Sequence, residues 1–133
     1  VAGTPMDFST PHLIGERIDT DTDQLRWARG YDHTYILDKE LGKLAIASRC
    51  SSPKTGIVME VYTDQPGVQL YTGNWMSGNL RGKHDHRYPA RAALCLETQH
   101  YPNSPNKPEY PSTRLNPGET FRSTTIFRFT LEA

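Results

Sequence analysis

Proline and glycine recur so often along this chain that long helices are disfavoured. Ten of each occur among 133 residues, and they separate short segments that are rich in β-branched and aromatic residues. The composition agrees, because 35% hydrophobic residues and a mean hydropathy of −0.67 lie at the polar end of the range for globular proteins. An all-β fold with antiparallel pairing and many turns is therefore predicted.

Alternating apolar and polar residues predict the individual strands. The clearest strand covers residues 56–63, in which Ile57, Met59 and Val61 face one side and Val58 faces the other. This alternation is expected for a sheet with one drier face. Further strands are predicted over residues 34–37, 44–48, 68–72, 91–96 and 119–131.

Other stretches are predicted to lie outside the sheet. Residues 19–28 are expected to form a helix of two turns at most, capped by Asp19 or Thr20. Residues 1–18 show no sustained period and are expected to be irregular. The polar, glycine-rich residues 74–87 are expected to form a long loop.

The charge and cysteine content exclude several classes of protein. The 15 basic and 15 acidic residues cancel and are scattered, which argues against nucleic acid or an anionic membrane as a partner and favours an uncharged or small ligand. No apolar run approaches the ~18 residues of a membrane span. Cys50 and Cys95 have no metal-ligand spacing, and both are expected to be reduced, with Cys95 buried in an apolar run.

The strongest candidate for chemistry is Glu97, a carboxylate that follows the apolar strand predicted over residues 91–96. A charge at the end of a buried strand is costly unless it is paired, hydrogen-bonded or solvated in a cleft. Glu97 is therefore either a structural ion-pair partner or a working acid or base. The residues alone leave both roles open.

Other polar positions also have a structural and a functional interpretation. Asp32 has the features of a turn acid that is hydrogen-bonded to nearby backbone, and Gln69 those of an ordinary exposed residue on an alternating strand. His84 and His86 have the spacing of two zinc ligands, but no third or fourth ligand is evident at useful spacing. No metal site is therefore predicted, and the roles of Asp32 and Gln69 stay open at this point.

Three motifs resemble those of the aldose 1-epimerases, the galactose mutarotases. The segment Leu94-Cys-Leu-Glu-Thr-Gln-His-Tyr-Pro-Asn-Ser-Pro-Asn106 is similar to the one that carries the family's catalytic glutamate. Gly30-Tyr-Asp-His33 resembles its substrate-binding motif, although the family often has Asn where this chain has Thr34. Pro66-Gly-Val-Gln-Leu-Tyr-Thr-Gly-Asn74 resembles a third motif. The motifs occur in the family's order and at similar spacings, and with their flanks they cover nearly the whole chain.

The resemblance implies a fold and a set of roles. Residues 1–133 would form the C-terminal portion of one antiparallel β-sandwich domain, as part of a galactose mutarotase-like supersandwich. Glu97 would be the catalytic base, while Asp32 and Gln69 would bind hydroxyl groups of a monosaccharide substrate. The implied activity is the interconversion of the α and β anomers of free aldoses such as glucose or galactose, and it requires no metal or organic cofactor.

The same resemblance implies that part of the enzyme precedes Val1. Family members are more than twice as long, and their two active-site histidines and a substrate-binding arginine lie in that part. The isolated chain is therefore expected to be nearly inactive and to associate with the remaining N-terminal part, covalently or as a separate chain. A cytoplasmic location is expected, with a periplasmic or secreted one left open because any signal peptide would lie before Val1. The alternatives are a non-catalytic carbohydrate-binding module and a purely structural β-sandwich fragment.

Overall fold

The computed structural model describes residues 1–132, which fold mainly into short strands. The helices are α1 (Ile14–Arg17) and α2 (Asp23–Ala28), and 3₁₀ turns occur at Lys83–Asp85 and Ser104–Asn106. The strands are β1 (Asp32–Ile36), β2 (Ala45–Ser51), β3 (Ile57–Thr63), β4 (Gly67–Tyr71), β5 (Ser77–Arg81), β6 (Arg87–Pro89), β7 (Cys95–Gln99) and β8 (Thr125–Leu131). The all-β prediction is confirmed. None of the helices in this part of the chain is long and apolar enough to cross a bilayer.

The chain divides into two compact units. The first unit comprises Val1–His33 and Leu70–Cys95, and the second unit comprises Thr34–Gln69 and Leu96–Ala133. The division falls within β1, β4 and β7, so each of these strands contributes residues to both units.

The second unit contains an antiparallel sheet with the strand order β2-β3-β8. The central strand β3 pairs with β8 in unbroken register from Ile57 opposite Leu131 to Thr63 opposite Thr125. Its pairing with β2 shifts register between Ile46 and Ser48, which marks a bulge in β2. A bulge of this kind bends its strand and increases the local twist of the sheet.

Strand β3 buries side chains on both of its faces. Val58 is 2% exposed on one face, and Val61 and Thr63 are each 0% exposed on the other. Burying a valine fully contributes about 1.5–3 kcal/mol, so β3 supplies much of the apolar burial of this unit. A central strand can be covered on both faces, and β3 carries buried side chains on each of them.

Strand β8 lies at the edge of the same sheet and is far more exposed. Phe127 and Phe129 share a face with Val61, yet they are 49% and 65% exposed. The strand begins at Thr125 rather than at residue 119, because Asp64 accepts a hydrogen bond from the Thr124 backbone N–H at 2.8 Å and holds the preceding segment outside the ladder.

A further sheet has the strand order β1-β4-β7. Val68 and Leu70 of β4 are buried, and Gln69 between them points to the other face. Gly67 allows close packing at the start of β4, since a Cβ atom there would lie 3.1 Å from the Tyr35 carbonyl oxygen and 3.2 Å from the Tyr101 ring. This approach fixes the start of the strand that carries Gln69.

In the first unit, the short helix begins later than predicted and lacks the predicted caps. Helix α2 starts at Asp23, and its N-cap residue, Thr22, makes no side-chain capping bond. Asp19 instead accepts hydrogen bonds from the Arg91 guanidinium at 2.9 and 2.6 Å. The Asp19 carboxylate, which was expected to cap the helix, is thus hydrogen-bonded to a residue 72 positions away in the sequence. Helix α1 lies in the stretch that was predicted to be irregular.

Two stretches near the end of the first unit also differ from prediction. Residues 74–87 are not one loop, because β5 and β6 form a hairpin with Ser77 opposite Pro89. Its strand residues are largely exposed, so backbone pairing rather than burial forms it, and the sequence shows no apolar alternation there. The strand predicted over residues 91–96 begins only at Cys95, because Arg91 adopts a left-handed conformation with φ 65 and donates its backbone N–H to Gly73 O at 3.0 Å.

Both cysteines are free thiols, as predicted. Cys50 is half-buried, and burial raises the pKa of its thiol. Cys95 is exposed, so the prediction that it is buried is wrong. Its position at the very start of β7, after the turn at Arg91, accounts for the exposure.

Candidate functional site

Asp32 belongs to the first unit, where it is half-buried at the first residue of β1. The preceding Tyr31 is 0% exposed, and its hydroxyl donates to the Pro5 carbonyl oxygen at 2.9 Å. Burial raises the pKa of the Tyr31 phenol. Asp32 therefore follows a tyrosine that is anchored both by packing and by a hydrogen bond.

The backbone around Asp32 is held by two polar residues from the third motif. Asn74 is 6% exposed, and its Nδ2 donates to the carbonyl oxygens of Ala28 at 2.9 Å and Tyr31 at 2.8 Å. The Tyr31 backbone N–H donates to the hydroxyl of Thr72 at 3.1 Å. Two segments that are distant in the sequence therefore form one buried hydrogen-bond network in the first unit.

His33 contacts the same stretch of backbone. The Asp32 backbone N–H donates to His33 Nδ1 at 3.0 Å, so this ring nitrogen carries no proton. Burial lowers the pKa of His33, although the charge of Asp32 and a hydrogen bond to the Gln24 backbone act in the opposite direction. The neutral imidazole is thus the form that fits this geometry.

Gln69 and Glu97 belong to the second unit. The hydroxyl of Thr34 donates to Gln69 Oε1, and Gln99 Nε2 donates to Thr34 Oγ1 at 3.5 Å. Thr34 is the position at which this chain departs from the motif it resembles, and the structure shows that it contacts Gln69. Gln99 and Thr34 were not singled out from the sequence, although Gln99 lies two residues after Glu97 on the same strand.

Glu97 is exposed in the middle of β7. Among residues 1–132, no hydrogen bond or ion pair reaches its side chain. The sequence left open a structural ion-pair role for Glu97, but the described part of the chain offers no partner for such a pair. The strand itself is anchored, because the hydroxyls of Thr98 and Thr125 lie 2.6 Å apart.

Gln69 and Glu97 lie on the same face of their sheet. Residues two apart on a strand share a face, so Glu97 points to the same side as Gln99. Gln99 contacts Thr34, and Thr34 contacts Gln69, which places all of these side chains on that side. The structure thus brings the two predicted second-unit residues onto one polar face, with the carboxylate open to solvent.

A second hydrogen-bond network fixes the end of the strand that carries Glu97. Gln65 is 7% exposed, and its Oε1 accepts a hydrogen bond from His100 Nδ1 at 2.8 Å. Gln65 Nε2 donates to Ser123 Oγ at 2.8 Å, and Ser123 donates to Asp64 at 3.0 Å. Because a carbonyl oxygen can only accept, Nδ1 of His100 carries a proton. This network ties the residue after β7 to the turn before β4.

The remaining candidate features do not add to the site. A surface hollow of about 470 Å³ in the first unit is lined by residues of α1, by Thr72 and by residues 91–94, and Asp32 does not line it. His84 and His86 are exposed. Within residues 1–132, no three His, Cys, Asp or Glu side chains come together in a way that would hold a metal ion.

Comparison with known proteins gives consistent matches over nearly the whole chain. The model of the aldose 1-epimerase family matches residues 1–128. Galactose mutarotase from Mus musculus is 40% identical over 131 residues, which is 98% of this chain and 36% of that protein. Aldose 1-epimerase from Escherichia coli (strain K12) is 36% identical over 135 residues, which is 99% of this chain and 38% of that protein.

A solved structure shows the same fold. The crystal structure of a GalM/aldose epimerase homologue from C. elegans superposes with a TM-score of 0.81 at 24% sequence identity. The match covers 98% of this chain and 38% of that one. The prediction of an antiparallel β-sandwich of the mutarotase type is confirmed, and the chain spans little more than a third of the length of the relatives that it matches.

Proposed function

This chain belongs to the aldose 1-epimerase family, and we propose that it is part of an enzyme that interconverts the α and β anomers of free aldoses such as glucose or galactose. The observation that carries the proposal is Glu97, an exposed carboxylate with no protein partner among residues 1–132, on the same sheet face as Gln69. A carboxylate that neutralises no protein charge is available to exchange a proton with a ligand.

The proposed reaction is a pair of proton transfers. Glu97 takes the proton of the C1 hydroxyl while an acid protonates the ring oxygen, and the bond between C1 and the ring oxygen breaks. The open aldehyde rotates about the C1–C2 bond and closes on its other face, with the two transfers reversed. The resemblance assigns the acid to a histidine outside this chain. No redox step occurs, and no metal or organic cofactor is needed for the balance of protons.

Asp32 and Gln69 are proposed to bind hydroxyl groups of the sugar. A glutamine side chain offers a donor and an acceptor together, which suits hydroxyls that do both. The hydroxyl of Thr34 donates to Gln69 Oε1, which restrains the amide orientation and directs Nε2 away from Thr34. Such contacts align the sugar with the acid and the base, and they contribute orientation rather than chemistry.

The rest of the enzyme is proposed to cover apolar surface that this chain leaves open. Phe127, Phe129 and Leu131 are 49%, 65% and 73% exposed along the edge strand β8. An exposed apolar edge is a site of pairing or aggregation in an isolated protein. This exposure supports association of the chain with its remaining part, either covalently or as a separate chain.

The proposed function is tested on the full-length protein. Freshly dissolved α-galactose and α-glucose are followed by polarimetry, and sugar binding is measured by calorimetry in parallel. The proposal expects the optical rotation to reach equilibrium much faster than in buffer alone. A protein that binds the sugars but leaves the spontaneous rate unchanged would instead be a non-catalytic carbohydrate-binding module.

A further inference from the structure

We propose that Asn74 and Thr72 are positioning residues for sugar binding, which act by holding the backbone that presents Asp32. This inference rests on the proposed role of Asp32 as a sugar ligand. It adds two residues to the site and gives each of them a defined hydrogen-bonding task. All of the groups involved belong to the first unit.

The hydrogen bonds of Asn74 account for every polar atom of its side chain. Its two N–H groups donate to the carbonyl oxygens of Ala28 and Tyr31, at 2.9 and 2.8 Å. Its Oδ1 accepts from the hydroxyl of Thr72 at 2.7 Å. A primary amide has two N–H donors, and here both are used inside the protein. Asn74 therefore has no N–H left for a sugar, and its contribution to binding must pass through the backbone that it holds.

The peptide group between Tyr31 and Asp32 is held at both ends. Its carbonyl oxygen accepts from Asn74 Nδ2, and its N–H donates to His33 Nδ1 at 3.0 Å. Thr72 contacts Tyr31 on both sides. Its hydroxyl accepts from the Tyr31 backbone N–H at 3.1 Å, and its own backbone N–H donates to the Tyr31 carbonyl oxygen at 3.1 Å. Because a peptide group is planar, fixing both of its ends fixes the plane that ends at the Asp32 Cα atom, and the position of Asp32 in β1 restrains the rotation from there to its side chain.

Gly30 explains why the two motifs must fit each other. A Cβ atom at this position would lie 2.4 Å from Asn74 Oδ1, closer than any ordinary contact. Gly30 also has φ +141, which side chains rarely adopt. The glycine of one motif thus leaves the space that the asparagine of the other motif occupies, and neither residue needs to contact the ligand.

The test uses the full-length protein and compares four single variants by polarimetry with galactose. Asn74→Ala and Thr72→Val should each raise KM about 10-fold with kcat changed less than about 3-fold, because buried hydrogen-bonding groups lose their partners. Thr72→Ser keeps the hydroxyl and should stay within about 3-fold of the wild-type KM. Asp32→Asn provides the reference for loss of the ligand itself.

A double variant separates positioning from general destabilisation. If Asn74 acts through Asp32, adding Asn74→Ala to Asp32→Asn should raise KM by no more than about 2-fold beyond Asp32→Asn alone, since coupled residues are not additive. The proposal would be overturned if the KM increases of Asn74→Ala and Asp32→Asn multiplied in full in the double variant. A wild-type KM in Asn74→Ala would overturn it too. An unchanged KM in Asp32→Asn would overturn it as well.

Amide exchange distinguishes a failure of this inference from a failure of the proposed function. A wild-type protein that does not interconvert anomers would contradict the proposed function. In that case, hydrogen exchange alone tests whether Thr72 holds the backbone at Tyr31. The Tyr31 amide should exchange about 10-fold faster in Thr72→Val than in Thr72→Ser. Equal exchange rates in the two variants would overturn the proposed hold.

Discussion

Asn74 and Glu97 are both polar residues of the motifs that identify this family, yet their surroundings are opposite. Asn74 is 6% exposed, and every polar atom of its side chain is hydrogen-bonded within the protein. Glu97 is exposed, and no partner reaches it among residues 1–132. Asn74 therefore serves to fix the backbone, whereas the Glu97 carboxylate is held by nothing in the described part of the chain, and hydrogen-bond counting distinguishes these two residues.

The largest expected effect separates this chain from the full-length protein. A mutarotation step needs an acid and a base together, and the resemblance places the acid outside this chain. We expect the isolated chain to accelerate anomer interconversion by less than about 1% of the full-length rate, since loss of one acid–base partner alone costs 100-fold or more. Polarimetry with sedimentation of the same sample checks this, and a soluble monomer with an enzyme-like rate would contradict it.

Gly30→Ala tests the packing around Asn74, the buried residue whose polar side-chain atoms are all hydrogen-bonded. The added methyl group would meet Asn74 Oδ1 at 2.4 Å in a left-handed backbone conformation, and we expect a loss of about 2–4 kcal/mol in the free energy of unfolding. Gly3 is a matched control, because it also has a positive φ but no atom within 4 Å of its Cβ position. Gly3→Ala should cost only about 1 kcal/mol. Equal losses in chemical denaturation would show that the contact with Asn74 does not matter.

Asp32→Asn and Gln69→Ala test the two residues that are proposed to bind sugar hydroxyls. Each should weaken sugar binding by about 1–3 kcal/mol, because hydrogen bonds to substrate hydroxyls are lost. The expected result is a raised KM with a smaller change in kcat. If both variants keep the wild-type KM, the hydroxyl-binding residues have been wrongly assigned.

The smallest expected effect is a pH dependence that originates in His33. Burial lowers the pKa of this histidine from its usual value of 6.5, so the unfolded chain binds more protons than the folded chain when the pH falls below that value. Stability should therefore be complete above about pH 7 and decline as the pH falls from 6.5 towards the lowered pKa. Urea unfolding of the full-length protein between pH 5 and 8 checks this decline. His33→Gln should remove part of this decline, and an unchanged decline in His33→Gln would contradict its origin in His33.

The fold could be predicted from local patterns wherever local forces decide it. The apolar alternation predicted β3, and the motifs predicted the antiparallel β-sandwich. The failures involve long-range contacts: Arg91 engages Asp19, which was expected to cap a helix, and the exposed hairpin of β5 and β6 forms without an apolar pattern. A hydrogen bond between residues 72 positions apart leaves no trace in a local window of sequence.

The candidate site divides in the same way. Asp32, Gln69 and Glu97 were accessible through the motifs, and their roles stay predictions. Gln99 could have been found, because it lies two residues after Glu97 on one strand face. Asn74 could not, because its hydrogen bonds reach 43 and 46 positions back along the chain and only the folded structure shows that they are complete.

The role of Glu97 is tested most directly by the kcat of Glu97→Gln in the full-length protein, measured by polarimetry beside that of Glu109→Gln. Glu109 is also an exposed glutamate, but it lies 4.0 Å from Lys107 in an ion pair. Glu97→Gln keeps the side-chain volume and removes the base, so kcat should fall at least about 100-fold, whereas Glu109→Gln should stay within about 2-fold of wild type. A Glu97→Gln variant with near-normal kcat would contradict the assignment of Glu97 as the catalytic base.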